Sequence, residues 1–302
     1  MYPELYTLSF GDTNVPIMTF GVCLTIAFGL FYWMLSRLGR KYQISTSFLT
    51  INLLLFFLVT FFASRLAHVL LYMWLPTKSA FSIEYPVLSF FLMSDFYFSL
   101  SGALIGFFGV FLYLFRHRDE VERDDARDIL VIAWLFAAIV GYLGAFFGGQ
   151  TYGIRSDGIF AIDYTNNPVL AEFPRFPLAL LYSIFCIFIF SLCYIVKKLR
   201  PERGLAAGAG ALLWWLVWFV GEWWNDASSD NIAYLFGWLQ DFHLMNCNQW
   251  LSLFLIAWWS YKLATIIPSP LSDWILDVAD RIMATQTRAR KYLKKLFKKI
   301  RR

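Results

Sequence analysis

Runs of about 20 apolar residues recur along this chain, each long enough to cross the hydrocarbon core of a bilayer as one helix. They cover residues 16–36, 49–73, 98–115, 129–148, 177–196, 205–224 and 247–266. No water reaches the bilayer core, so every backbone N–H and C=O there must be bonded within the segment, as an α-helix does. The pattern therefore predicts an all-α polytopic bundle of about seven transmembrane helices. Of the 302 residues, 59% are hydrophobic and only 16% charged, outside the range of ordinary soluble domains. Residues 87–97 are apolar but short and follow Pro86, which reads as a re-entrant or interfacial segment leading into the third run.

Charge placement orients the bundle. Of the 26 Lys and Arg, 22 flank every second joint: Arg37, Arg40 and Lys41; Arg116, Arg118, Arg123 and Arg127; Lys197, Lys198, Arg200 and Arg203; then Lys262, Arg281 and nine in 288–302. Lys78, Arg155 and Arg175 fall on the opposite side, and Arg65 lies inside a run. Cytoplasmic loops carry the excess of Lys and Arg, so the N-terminus is expected outside and the C-terminus inside. The polar N-terminus lacks basic residues and no Ala-x-Ala site follows the first run, which is expected to act as its own uncleaved insertion signal.

The chain divides into a transmembrane domain, 1–266, and a tail, 267–302. Pro268 and Pro270 end the last helix. Beyond them Trp274, Ile275, Val278 and Ile282, then Leu293, Leu296, Phe297 and Ile300, repeat at helical spacing among Lys and Arg. Such a basic amphipathic tail is expected to lie on the anionic cytoplasmic leaflet. The mixed-sign stretch 116–128 reads as a solvated cytoplasmic loop. Cys23, Cys186, Cys193 and Cys247 have neither disulfide nor zinc-site spacing, and Cys186 and Cys193, seven apart, read as packing residues. No metal, cofactor or nucleic-acid partner is expected.

Ionisable residues inside a membrane are the default functional candidates, because burying them costs about 2.5–3.5 kcal/mol or more. Here they are Arg65, His68 and Glu222, with Asp95 in the short apolar segment. Arg65, His68 and Tyr72 share one helix face. An ion pair between Arg65 and Glu222 would account for both charges without any catalysis, and that alternative stays open. The stretch Gly141 to Gly153 ends its apolar run with Gly141, Gly144, Gly148 and Gly149. Glycine weakens a helix, so the cluster serves either close packing, for which Gly144 and Gly148 have small-xxx-small spacing, or close approach of a ligand to the backbone.

Gly141 to Gly153 resembles the signature of the bacterial prolipoprotein diacylglyceryl transferases, roughly Gly-Arg-apolar-Gly-Asn-Phe-x-Asn-Gly-Glu-x-aromatic-Gly. The glycines, Phe146 and Tyr152 fit it. Tyr142 stands in place of arginine, Ala145 and Gly148 of asparagine, and Gln150 of glutamate. Other segments follow in order. Phe20-Gly21 resembles the family's opening Tyr-Gly, and Arg65-Leu66 to Tyr72 its second-span pattern. Ser101-Gly102-Ala103-Leu104-Ile105-Gly106 resembles His-Gly-Gly-Leu-Ile-Gly, with Ser101 replacing histidine. Glu222-Trp223-Trp224-Asn225 resembles Glu-Phe-Phe-Arg, with Trp218 where the family has a further arginine. Gln249-Trp250-Leu251-Ser252 matches the last span, and Pro177 and Tyr182 remain of a His-Pro-Ser-Gln-Leu-Tyr motif.

The resemblance implies a bacterial cytoplasmic (inner) membrane protein whose site opens outward and to the bilayer. Family members move the diacylglyceryl group of phosphatidylglycerol to a lipoprotein cysteine. The partners implied are thus a membrane phospholipid, phosphatidylglycerol foremost, and a lipoprotein or other membrane protein. The displaced glycerol phosphate needs cations, and the thiol needs a base. The aligned positions have lost three arginines, a histidine and a glutamate, and losing a single preorganised donor already costs about 100–1000-fold in rate. The reading is a divergent member binding a lipid or lipid-modified peptide with the family chemistry lost. Its lipid-binding set is Phe20, Ser101, Gly102, Tyr142, Gly149, Gln150, Trp218, Asn225 and Gln249. Two alternatives stay open: an active transferase with a site rearranged around Arg65, His68 and Glu222, and a membrane assembly subunit.

Overall fold

The computed structural model describes residues 4–10, 13–73, 99–149, 151–163, 173–199, 202–225 and 247–267. Residues 87–97 with Asp95, Gln150, the loop 226–246 and the tail from 268 on lie outside the described residues, as does the side chain of Tyr72.

The chain opens with an antiparallel hairpin, β1 (Glu4–Phe10) and β2 (Thr13–Met18), in register Leu8↔Val15 and Ser9↔Asn14. The hairpin is an addition to the all-α expectation, and it moves the start of the first helix from 16 to Thr19. Val15, Ile17 and Met18 extend the apolar count, but they belong to a strand: Pro16 suits an edge strand, and the β-branched residues flank it. Helix α1 then runs Thr19–Tyr42 and takes Arg40 and Lys41 into its last turn, where they face the negative end of the helix dipole.

The second run divides into α2 (Ser47–Ile51) and α3 (Leu53–Met73). At the joint, Asn52 donates its side-chain amide to the Phe48 carbonyl (2.8 Å), ending α2 with a side chain rather than a glycine. Helix α4 (Leu100–Leu114) starts at Ser99, whose hydroxyl accepts from the Gly102 N–H. It lies tightly on α3: any side chain at Gly102 would meet Ala67 and the Ala63 carbonyl, and at Gly106 it would meet Ala63 and the Val59 carbonyl.

Helix α5 (Glu120–Gly148) is the central element, packed on α1, α6 (Leu178–Leu199) and α7 (Leu205–Gly221). Helix α8 (Cys247–Ile266) packs on α7. Among the described residues three helices, α1, α5 and α6, are long and apolar enough to cross a membrane. Residues 53–69, α4 and α7 are shorter apolar helices. Small residues bring the helices together. Gly144 abuts Cys23 of α1, Gly210 of α7 abuts Cys193, and the Ser183 hydroxyl donates to the Ile139 carbonyl (2.9 Å). Cys186 and Cys193 are fully buried free thiols.

The basic clusters meet at one end of the bundle, where Lys41 donates to the Tyr194 hydroxyl (3.3 Å) and Arg203 bonds Asp125 (3.0 Å). The stretch 116–128 is not a solvated loop there. Helix α5 begins inside it, and Asp128 has no exposed surface. Asp128 falls one and two turns before Ile132 and Leu135 on the buried face of α5, so helical periodicity turns it inward. Its carboxylate accepts from Lys197 Nζ (2.7 Å), Gly204 N–H (3.0 Å) and Ala207 N–H (2.8 Å). The first N–H groups of α7 have no partner within the helix, and the cap residue Gly204 has no side chain to offer. Asp128, brought in from another helix, supplies the cap.

Candidate functional site

At the opposite end, which holds Gly148, the described candidates form two groups. The first lies on the α3–α4 pair. Arg65 and His68, three residues apart, are 6% and 8% exposed. Beside Arg65, the Ser64 hydroxyl donates to the Ser99 carbonyl (2.7 Å), and the Ser99 N–H donates back to the Ser64 carbonyl (3.2 Å). Ser101 shares a hydrogen bond with the Ser99 hydroxyl (2.8 Å). The position that the resemblance gives to histidine is therefore tied to the turn of α3 that carries Arg65. Gly102 is spent on close contact with α3.

The second group is built by α5, α6 and α7. Tyr142, Tyr182, Trp214 and Trp218 form a cluster of rings. The Tyr142 centroid is 5.3 Å from Tyr182 and 5.5 Å from Trp214, and Trp218 stacks on Tyr182 at 6.0 Å. Trp134 adds an edge-on contact to Trp214 at 5.1 Å. Gly221 has no side chain because the Tyr182 hydroxyl occupies that place. One residue on, the buried Glu222 carboxylate accepts from Trp218 Nε1 (2.8 Å), Asn248 Nδ2 (3.4 Å) and Asn225 Nδ2 (3.5 Å). Gln249, 3% exposed, follows Asn248 on α8.

A backbone staple closes this end. Gly153 N–H donates to the Phe176 carbonyl (2.8 Å), Ile154 N–H to the Trp224 carbonyl (2.8 Å), and Phe176 N–H to the Ile154 carbonyl (3.0 Å). Gly153 sits so close to Trp224 and Phe176 that no side chain fits. The segment after α5 is thus bonded to the starts and ends of its neighbours. Gly149 makes the turn into it with φ 66, a left-handed conformation that suits glycine, and donates its N–H to Phe146. Arg155 lies over the Phe173 ring (3.9 Å) and Arg175 over Tyr152 (4.9 Å).

Tyr142, Trp218, Glu222 and Asn225 are brought together, with Gln249 next to a residue that bonds Glu222. Phe20 is half-buried in the first turn of α1. Sequence reasoning missed Trp214 and Asn248, and it left Tyr182 outside the site. Trp214 is one turn before Trp218 on the same face, and Asn248 with Gln249 makes an amide pair at the head of an apolar helix. Both signals were readable from spacing and polarity. The rings of the second group carry no formal charge, and Trp218, Asn225 and Asn248 offer Glu222 neutral donors. The group can recognise shape, apolar surface and hydrogen-bonding atoms.

The family model described as prolipoprotein diacylglyceryl transferase matches residues 7–264. The chain belongs to that family. No protein of curated function matches it. It is a prolipoprotein diacylglyceryl transferase-like membrane protein, of a family that acts on a phospholipid donor and lipoprotein substrates.

Proposed function

We propose that this member of the prolipoprotein diacylglyceryl transferase family binds a lipid or lipid-modified peptide and no longer performs the family's transfer. The observation that carries the reading is the ring cluster. Where the resemblance places two arginines stand Tyr142 and Trp218, both buried, with Trp218 donating to Glu222. A phosphate leaving group is stabilised by charge-assisted, bidentate donors. Tyrosine and tryptophan side chains supply apolar area and single neutral donors instead. Ser101 does not titrate near neutral pH, so it cannot replace an imidazole acid or base.

The proposal includes an inner-membrane location, seven crossings with the N-terminus outside, and a cytoplasmic tail from 267 that rests on anionic lipid. Its test is complementation. In a bacterium depleted of its standard diacylglyceryl transferase, this chain is expected not to restore growth. Restoration that is lost on Arg65→Ala or His68→Ala would overturn the reading in favour of a rearranged active site.

A further inference from the structure

Two hydrogen-bonding atoms inside the ring cluster have no partner among the described residues. Tyr142 Oη and Trp214 Nε1 are both enclosed by protein and bond neither each other nor any other described atom. Their side chains are 9% and 2% exposed and their ring centroids 5.5 Å apart. Leaving a buried donor unmade costs about 1–3 kcal/mol, and here two such donors belong to neighbouring rings.

The chemistry of the atoms narrows what could satisfy them. An indole N–H only donates, so the occupant must present an acceptor to Trp214. An ammonium group has none. A phosphate has acceptors, but the rings around these two atoms offer single neutral donors and no cation to balance its charge. A neutral carbonyl meets both conditions. Depth agrees. Tyr142 lies six residues before the end of α5 at Gly148, and Trp214 eight before Glu222, or about 9 and 12 Å along the helices at 1.5 Å per residue. With the ends of these helices at the membrane surface, as the proposed crossings place them, and a head-group layer of about 5–7 Å on each side, both donors fall just beneath it, where acyl chains join the glycerol.

We propose that Tyr142 and Trp214 form a carbonyl-binding site for the acyl ester of a neutral glycerolipid, one without a phosphate. This rests on the lipid-binding reading above and specifies the class of lipid. The ester oxygen accepts from the Tyr142 hydroxyl and the Trp214 N–H, and the surrounding rings pack the first methylenes of the acyl chain. No bond is made or broken.

The test uses the full chain in detergent, titrated with three probes and followed by tryptophan fluorescence: dioleoylglycerol, its diether analogue without carbonyls, and dioleoylphosphatidylglycerol. Dioleoylglycerol is expected to bind at least about 10-fold tighter than the diether, the loss expected for unmade hydrogen bonds of ordinary strength, and tighter than phosphatidylglycerol, whose charge the neutral ring cluster does not match. Tyr142→Phe is expected to weaken the ester about 5–10-fold, to leave diether binding unchanged, and to leave the melting temperature of the lipid-free protein unchanged or raised, because it removes an unsatisfied hydroxyl. A hydroxyl that served only the fold would lower that temperature. Trp214→Phe is expected to act in the same direction on the ester, and should it fold poorly, Tyr142→Phe alone decides. Equal binding of ester and diether, or an ester preference untouched by Tyr142→Phe, would mean that the two atoms hold only water. Phosphatidylglycerol binding as tightly as dioleoylglycerol would overturn the neutral-lipid assignment while leaving lipid binding in place. Failure of all three probes to bind would overturn the lipid-binding reading itself.

Discussion

Lys197 Nζ lies 2.7 Å from Asp128 Oδ2, and Asp128 has no exposed surface. The same carboxylate holds the first turn of α7, so this one side chain joins α5, α6 and α7 at the basic end. Taking two charges out of water is costly, and the arrangement persists only because every carboxylate bond is made. Asp128→Asn should therefore lower unfolding stability by about 3–5 kcal/mol, the range for breaking a buried pair. Lys197→Met in that background should recover part of it. Denaturation of the four proteins in detergent measures this, and additive losses would show that the pair is uncoupled.

Arg65 and Glu222 are proposed to pair. Glu222→Gln keeps an acceptor for Trp218 but removes the charge. If the pair exists, the double-mutant cycle with Arg65→Leu should show coupling of about 0.5–3 kcal/mol. Zero coupling would assign the two charges to separate partners.

Gly102 should not tolerate a side chain. Its methyl would meet Ala67 and the Ala63 carbonyl, and backbone yields less readily than a flexible side chain. Gly102→Ala is expected to cost about 1–3 kcal/mol by overpacking. Gly141, which has open space around it, should accept alanine with no loss or a gain of about 0.5–1 kcal/mol. Thermal unfolding of both variants gives the comparison, and equal behaviour would contradict the packing described for α3 and α4.

The proposed topology predicts that a reporter fused after Arg302 is active only in the cytoplasm, and one fused before Met1 only outside it. The reverse pattern would invert the assignment of the basic end.

The helices were legible because a membrane demands long apolar runs, and four of the seven runs both begin and end within three residues of the observed helix. The exceptions have local causes. Val15 and Ile17 are as apolar as a helix start, so the strand Thr13–Met18 was absorbed into the first run. Asn52 interrupts an apolar run without glycine or proline, and its capping bond to Phe48 is invisible in a hydropathy count. Asp128 was lost among six neighbouring charges, because a charge run looks solvated whichever residue turns inward. At the site, Tyr142, Trp218, Glu222 and Asn225 were found by their place in motifs. Trp214 and Asn248 belong to no motif, and only the packing of α7 against α5 and α8 brings them in.

The staple at Gly153 and the knot at Asp128 fasten the same three helices at their two extremities. Helices α5, α6 and α7, tied at both ends, should thus move as one plate. A molecule that came down from the water would have to tear backbone bonds to part them. The cheaper route is sideways, from the plane of the membrane, past neighbours such as α8 that meet the plate through side chains. Whatever breathing this protein performs should then appear as hydrogen exchange in those neighbours, while the amides of the plate stay protected.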